Sequence, residues 1–255
     1  MRWLRGLKQS AARREEGLAV AEGPKAVEEL LFAADQVECL FWCETGSGEA
    51  ARLALEFSRA GAPVEEMSPT VLAAAADTRT PQGVIAVVRV APTPMGDLLA
   101  ASGDMLLLDG VQDPGNVGTL IRSAEAAGAA GVILLDGSAD PTGAKAVRAA
   151  AGSVFRLPWL RWTGPLDDLA DTLRKNGRPV AIATADGAVS PAEAAAHGAV
   201  CWVVGTEGAG VSDGLRRCAD LTVSLPMSGG VDSLNAAVAG SLLLYTRNLQ
   251  ARPAH

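Results

Sequence analysis

Histidine, cysteine and aromatic residues are scarce in this sequence. Its 255 residues include two histidines, four cysteines and 4% aromatic residues. The cysteines show no CxxC spacing, and two histidines cannot complete a zinc site with them, so the sequence predicts no metal centre. We expect four reduced thiols, most of them buried, because burial is the usual environment of a free cysteine.

Long apolar segments and a P-loop signature are also missing. No apolar run approaches the roughly 18 residues that span a bilayer. The first 17 residues, MRWLRGLKQSAARREEG, contain no apolar core of a secretory signal. We therefore expect a cytoplasmic protein with no membrane partner. The absence of any GKS or GKT triplet excludes a P-loop.

The chain has fewer basic than acidic residues, 22 against 29, and its formal net charge is −7. Phosphate is neutralised by clustered Lys and Arg, so this balance argues against a surface covered in nucleic-acid-binding groups. The first 25 residues are an exception, with three glutamates against six basic residues: Arg2, Arg5, Lys8, Arg13, Arg14 and Lys25. This basic arm is either an ordinary amphipathic helix or a contact for RNA phosphates, and its composition leaves both readings open.

The abundant residues are apolar, at 49% of the chain, which is enough for one large domain or two modest ones. Residues 22–90 alternate helical and extended patterns, which predicts a small α/β domain, with helices at 25–34 and 49–60 and strands at 38–43, 64–67 and 84–90. Residues 91–97 hold two prolines and a glycine and predict a linker. Beyond it, five apolar runs separated by helical patterns predict a parallel sheet with both faces covered: residues 105–109, 132–136, 179–184, 201–205 and 221–225. We therefore predict an α/β fold of two domains, residues 1–92 and 97–255.

Three of these runs end in Gly-rich polar loops that precede helical patterns. The polar and glycine residues of the three loops are, in chain order, Asn116, Gly118 and Arg122; Gly205, Glu207, Gly210 and Ser212; and Gly229, Gly230, Ser233 and Asn235. Open α/β sheets bind ligands at the carboxyl ends of their strands, so the loops predict a small-molecule site. The glycines at 110, 115 and 118 do not form GxGxxG, which disfavours a nicotinamide-binding Rossmann unit.

Each polar residue also has a purely structural explanation when taken alone. Asn116, Ser212 and Ser233 are residue types that cap helices. Arg122 and Glu207 have opposite charges and can form an ion pair. These explanations stay open, but they do not account for all three loops together.

Taken together, the loops resemble the motifs of the SpoU, or TrmH, family of RNA ribose 2′-O-methyltransferases in the knotted SPOUT superfamily. The first motif, NxGxxxR, is matched by Asn116, Gly118 and Arg122, and the second, GxExxGxS, by Gly205, Glu207, Gly210 and Ser212. The third, a PM dipeptide followed by a glycine and then SLN, is matched by Pro226, Met227, Gly229, Ser233, Leu234 and Asn235. Residues 145–158 resemble another stretch of the family. The chain departs from the family at Ala236 and Ala237, where Val-Ser is usual.

The resemblance implies a fold, a cofactor and a set of site residues. It implies a trefoil knot at the carboxyl end and a homodimer formed through the knotted domain, in which Arg122 of one subunit completes the site of the other. The cofactor would be S-adenosylmethionine, bound near Gly205, Leu225 and Leu234, with Glu207 and Met227 beside it. The implied catalytic residues are Arg122, Asn116, Glu207, Ser233 and Asn235, and no metal is implied.

The N-terminal domain resembles, more loosely, the small RNA-binding domain attached to many members of the family. The marks are residues 20–31, VAEGPKAVEELL, and residues 80–88, TPQGVIAVV. Such a domain is more usual in enzymes that modify ribosomal RNA, so we expect ribosomal RNA rather than tRNA as the substrate. The alternatives are a tRNA methyltransferase and a noncatalytic RNA-binding or ribosome-assembly protein of the same fold. A base methyltransferase of the superfamily is disfavoured by the SLN and NxGxxxR motifs.

Overall fold

The computed structural model describes residues 2–44, 48–184, 186–196, 198–227 and 234–251. Its contacts divide the chain into two compact units. The first unit comprises Met1–Ala91 and Asp140–Phe155, and the second comprises Pro92–Ala139 and Arg156–His255. The chain therefore leaves the second unit after residue 139 and returns to it at residue 156.

Short helices alternate with short strands along the described residues. The strands are β1 (Leu18–Glu22), β2 (Val37–Trp42), β3 (Val64–Glu66), β4 (Val84–Arg89), β5 (Met105–Leu108), β6 (Gly131–Leu134), β7 (Trp159–Arg161), β8 (Val180–Ala183), β9 (Cys201–Val204) and β10 (Leu221–Val223). The helices are α1 (Arg2–Gly6), α2 (Ser10–Glu16), α3 (Pro24–Glu28), α4 (Glu49–Arg59), α5 (Pro69–Ala75), α6 (Met95–Ala100), α7 (Pro114–Ala127), α8 (Ala144–Ala150), α9 (Leu166–Lys175), α10 (Pro191–Ala195), α11 (Asp213–Cys218) and α12 (Ala236–Ala251). None of the described helices has the length and apolarity needed to cross a membrane.

The first unit contains a four-stranded mixed sheet in the order β1-β4-β2-β3. Strand β4 lies antiparallel to both β1 and β2, and β3 is parallel to β2. Five of the six residues of β4 are buried, as the apolar run at 84–90 predicts. The single helix predicted at 25–34 is wrong, because α3 ends at Glu28 and a 3₁₀ segment, Leu31–Gln36, follows it with a non-helical Ala33 (φ −126°, ψ 37°).

The segment Asp140–Phe155 belongs to the first unit, although the sequence placed it within residues 97–255. The guanidinium of Arg13 forms an ion pair with Asp140 at 2.8 Å, and both side chains are more than 90% buried. Nε of Arg13 donates to the hydroxyl of Thr142 at 3.1 Å, and the backbone N–H of Val20 donates to the carbonyl of Thr142 at 3.0 Å. Arg13 therefore holds this segment in place. Of the two interpretations left open for the basic arm, a contact with RNA phosphates does not apply to Arg13, because its side chain is buried.

A strained backbone position ends α8. Ala151 has φ 47° and ψ 53°, in the left-handed region that residues other than glycine avoid. We expect Ala151→Gly to raise the free energy of unfolding by about 0.5–1 kcal/mol, because relief of the strain exceeds the entropy cost of glycine. Urea denaturation measures this change. Ala149→Gly, inside the same helix, is the matched control and should lower stability by about 1 kcal/mol; a loss of stability in Ala151→Gly would contradict the strain argument.

The second unit contains a six-stranded sheet in which every pairing is parallel, in the order β10-β8-β9-β5-β6-β7. All five strands predicted from apolar runs are confirmed. The four residues of β5 and the first three of β9 are completely buried at the centre of the sheet, as continuous apolar strands require. The sequence missed β7, in which only two apolar residues, Trp159 and Leu160, stand between Pro158 and Arg161.

Helix α12 packs against α7 and β9 and brings the end of the chain back to the centre of the sheet. The approach is close at Gly240, where an added Cβ would lie 2.4 Å from Cδ2 of Leu120 and 3.0 Å from Cγ2 of Val204. The beginnings of α7 and α12 and the loop after β9 are thereby gathered at one edge of the sheet. The threading expected for a trefoil knot depends on the path of residues 228–233, which lie outside the described residues.

Candidate functional site

The loop after β5 is fixed at both of its ends. Gly110 has φ 72°, and its backbone N–H donates to Oγ of Ser138 at 3.0 Å. Oδ1 of Asp113 accepts from the backbone N–H groups of Gly115 at 2.6 Å and Asn116 at 3.0 Å. Asp113 is therefore the N-cap of α7. The expectation that Asn116 holds the cap position is wrong, because α7 already begins at Pro114.

The Asn116 side chain instead joins a three-residue cluster. Its Nδ2 donates to Oε1 of Glu207 at 2.7 Å. Nδ2 of Asn235 donates to the same oxygen at 2.6 Å and lies 3.4 Å from Oδ1 of Asn116. The cluster thus brings together one residue from each of the three sequence motifs, which are separated by 91 and 28 residues along the chain.

The orientation of Asn235 is set by the start of α12. Its Oδ1 accepts from the backbone N–H groups of Ala237 at 2.9 Å and Val238 at 3.3 Å, as an N-cap does. The capping bonds use the carbonyl oxygen of the side chain and leave the amide Nδ2 to face Glu207. One asparagine therefore ties the helix terminus to the cluster.

A cavity of about 390 Å³ adjoins the cluster. It lies among the segments that follow β8, β9 and β10, and its lining includes all five residues predicted to contact the cofactor: Gly205, Glu207, Leu225, Met227 and Leu234. Gly205 permits a tight turn here, because an added Cβ would lie 2.2 Å from the carbonyl carbon and oxygen of Gly210. The turn is closed by two backbone hydrogen bonds of 3.0 Å between Thr206 and Gly210.

Two predicted serines have different outcomes. Ser233, expected to be catalytic, lies outside the described residues, as do Gly229 and Gly230. Ser212 occupies the N-cap position of α11, but its side chain forms no capping hydrogen bond. Its backbone N–H donates to Oδ2 of Asp109 at 2.6 Å, which ties the loop after β9 to the end of β5.

Arg122 does not join the cluster. It lies on α7 with its side chain exposed, and it forms no hydrogen bond or ion pair with any residue that the structure describes. An ion pair between Arg122 and Glu207, which the sequence left open, is not formed, because Glu207 accepts from the two asparagines instead. The guanidinium is therefore available to a group outside this chain.

Four polar residues that line the cavity were missed from sequence: Thr184, Asp186, Thr206 and Arg216. Oγ1 of Thr184 is buried with no hydrogen-bond partner among the described residues. A signal for Thr184 was present, since it follows the apolar run of β8 at the carboxyl end of a parallel strand. Nothing in the local pattern marks Arg216 as a cavity residue.

None of the four cysteines lines the cofactor cavity. All four cysteines are free and buried, as the sequence predicts. Burial, with a smaller contribution from Glu65, raises the pKa of Cys39 to about 11, and burial also raises the pKa of Cys201. Both thiols therefore stay protonated and unreactive at neutral pH. Within the described ranges, no group of histidine, cysteine or acidic side chains is arranged to hold a metal ion.

Two family models match the chain, one to each part. The SpoU rRNA Methylase family matches residues 104–245, which contain all three motif loops. The MRM3-like substrate binding domain matches residues 1–86. The first match covers more than half of the chain.

Sequence relatives and solved structures agree with these matches. The 23S rRNA (guanosine(2553)-2′-O)-methyltransferase RlmP of Bacillus subtilis (strain 168) is 37% identical over 179 residues, 70% of either chain. An AdoMet-bound rRNA methyltransferase from Sinorhizobium meliloti is 29% identical with a TM-score of 0.83, covering 99% of this chain and 95% of that one.

The SpoU methyltransferase AviRb from Streptomyces viridochromogenes, solved in complex with AdoMet, is 28% identical. Its TM-score is also 0.83, over 98% of this chain and 97% of AviRb. The resemblance drawn from the three motif loops is therefore confirmed, along with the α/β fold. The chain belongs to the SpoU rRNA methylase family and is a methyltransferase.

Proposed function

We propose that this protein transfers a methyl group from S-adenosylmethionine to a ribose 2′-hydroxyl of ribosomal RNA. The observation that carries the proposal is the joining of Asn116, Glu207 and Asn235 beside the cavity lined by the five predicted cofactor residues. The names of RlmP and of the Sinorhizobium meliloti protein support ribosomal RNA as the substrate. The N-terminal match to a substrate-binding domain supports the same class.

The cavity fits S-adenosylmethionine in size and in chemistry. Its volume of about 390 Å³ lies in the usual range for a small-molecule site. Apolar side chains such as Leu225 and Leu234 suit an adenine ring, and the unpartnered hydroxyl of Thr184 offers a hydrogen bond to a polar group of the nucleoside. The bound cofactor supplies an electrophilic methyl group on a positively charged sulfur.

The residues of the protein must assist the attacking oxygen, which loses a proton as it becomes bonded to the methyl group. Arg122 is the group we assign to this task. A guanidinium stays protonated at neutral pH, so its role is to stabilise negative charge developing on the 2′-oxygen. Its exposed position on α7 leaves it free to meet a substrate.

Asn116, Glu207 and Asn235 are assigned to positioning. Two amide donors converge on one carboxylate oxygen, so the three side chains restrain one another. Restraint of this kind is valuable because a reaction between two bound groups depends on their being held near attack distance. Ser233 is assigned to the same group from the motif alone.

We assign the exposed apolar face of α12 to a homodimer interface. Val238, Leu242, Tyr245 and Leu249 recur at spacings of four, three and four residues and are all exposed. The first three line a groove together with Asn116 and Asn235. A second copy covering this face would bury the apolar stripe and approach the positioning cluster. Thr119 lines the same groove one turn before Arg122, which supports a site completed by the partner's arginine.

We assign RNA binding to residues 1–92 and methyl transfer to the part of residues 97–255 that belongs to the second unit. Of the six basic residues of the arm, five remain exposed: Arg2, Arg5, Lys8, Arg14 and Lys25. They and Arg79 offer contacts to phosphates. Bacterial relatives that modify ribosomal RNA support a cytoplasmic location.

Product analysis tests the function. Purified protein is incubated with labelled S-adenosylmethionine and unmodified transcripts of ribosomal RNA or tRNA, and the digested nucleosides are identified by mass spectrometry. We expect a 2′-O-methylnucleoside from ribosomal RNA alone. A product from tRNA alone would overturn the substrate class, and a methylated base would overturn the reaction. Binding of RNA without any binding of S-adenosylhomocysteine by calorimetry would support a noncatalytic protein.

A further inference from the structure

A second cavity of about 570 Å³ lies between the loop after β5 and the loop after β9. Its lining includes Gly110, Gln112 and Asn116 on one side and Glu207 and Ala236 on the other. The cofactor cavity shares Gly205, Glu207 and Ala236 with it, so the turn at Gly205 stands between the two. A nucleoside is within the size range of such a site.

Gln112 lines this cavity and lies in the loop after β5, which is held in place on both sides of it. Its neighbour Val111 is 2% exposed and accepts a backbone hydrogen bond from Ala139 at 2.9 Å. Its other neighbour, Asp113, caps α7. The side chain of Gln112 is itself exposed, and its amide forms no hydrogen bond with any residue that the structure describes. The amide of Gln112 therefore offers a donor and an acceptor at a position fixed by the backbone, and neither group stabilises the described part of the fold.

The charge of the cavity indicates which part of an RNA fits it. Asp113 and Glu207 line the cavity, and no arginine or lysine of the described residues does so. Two carboxylates repel phosphates, whereas a neutral base and its ribose are not repelled. An RNA would therefore leave its phosphates outside and place one unstacked nucleoside within.

We propose that this second cavity receives the target nucleoside, and that the amide of Gln112 contacts the edge of its base and determines which base is accepted. The inference rests on the proposed function. A glutamine amide presents a donor and an acceptor at once and suits the hydrogen-bonding edge of a nucleobase. Asn116 and Glu207, shared with the positioning cluster, would then lie on the ribose side.

The test uses the ribosomal RNA transcript that the wild-type protein methylates and three transcripts that differ from it only in the target base. We expect wild-type kcat/KM to favour the natural base by about tenfold or more. Gln112→Ala should bring the four values to within about threefold of one another, mainly by loss on the natural base. Gln112→Glu, which retains only acceptors, should shift the preference toward bases that present an amino group. Asn176→Ala, at an exposed amide of the second unit that lines neither cavity, is the matched control and should keep the wild-type preference.

Binding of S-adenosylhomocysteine distinguishes this site from the cofactor site. Calorimetry should give the same Kd for the wild type and both Gln112 variants. A weakened Kd would place Gln112 in cofactor binding and overturn the proposal, as would unchanged base preference in Gln112→Ala. Equal methylation of all four transcripts by the wild type would also overturn it. If the wild type methylates no RNA at all, the proposed function fails instead.

Discussion

A heterodimer of Arg122→Ala and Asn235→Ala subunits should recover methyl transfer that both parent homodimers have lost. We expect each parent to lose about 100- to 1000-fold in kcat, Arg122→Ala because it removes the group that stabilises charge on the reacting oxygen and Asn235→Ala because it removes a positioning group. If Arg122 serves the partner's site, the heterodimer has one site with both substitutions and one site with neither. About half of the wild-type activity per dimer should then return.

Two separable affinity tags allow the heterodimer to be purified and its activity compared with that of the parents. If Arg122 instead serves its own subunit, every site carries one substitution and no activity returns. Size-exclusion chromatography with light scattering establishes that all three species are dimers, and a wild-type protein that runs as a monomer would contradict the shared site.

Each parent should bind S-adenosylhomocysteine normally, because neither residue lines the cofactor cavity. Asn235→Ala should also unfold more easily by about 1 kcal/mol, since it removes the N-cap of α12.

Gly205→Ala should abolish cofactor binding. The new Cβ would lie 2.2 Å from the carbonyl group of Gly210 and 2.5 Å from the backbone nitrogen of Val211. These atoms are backbone, so the turn between residues 205 and 210 must move, and this turn forms a wall of the cavity. We expect the Kd for S-adenosylhomocysteine to rise by at least about 100-fold, with about 1–3 kcal/mol of stability lost through overpacking.

Gly96→Ala is the matched control for this substitution. Gly96 also belongs to the second unit, but no heavy atom lies within 4 Å of its added Cβ. It should bind S-adenosylhomocysteine as the wild type does, by calorimetry, and should not lose stability in urea. A Gly205→Ala protein that binds the cofactor normally would show that the turn can rearrange without closing the cavity.

The central strands of the second unit were predictable because they are buried on both faces and therefore appear as continuous apolar runs. Strand β7 was missed because its two apolar residues are bounded by Pro158 and Arg161 and form no such run. The cap of α7 was also within reach of the sequence, since Pro114 at the first helical position marks Asp113 as the cap. The explanation of Asn116 as a helix cap, which the sequence left open, overlooked that signal.

The candidate site was only partly predictable, for a physical reason. The convergence of Asn116 with Glu207 and Asn235 depends on the order of strands in the sheet and on the return of α12, and neither is encoded in local periodicity. The motif resemblance supplied these residues. It could not supply Arg216 or Gln112, because their significance arises from the cavities that the fold creates around them.

The placement of Asp140–Phe155 among the residues of the first unit limits how this protein can be recombined. A chimera that exchanges residues 1–91 alone would replace Arg13 and Glu22 but retain their ion-pair partners, Asp140 and Arg148. The retained partners would then pack against a sheet from another protein. A chimera that exchanges the whole first unit therefore needs three junctions, after residues 91, 139 and 155, rather than one. A substrate domain acquired by simple end-to-end fusion would have required later adaptation inside the enzyme's own sequence.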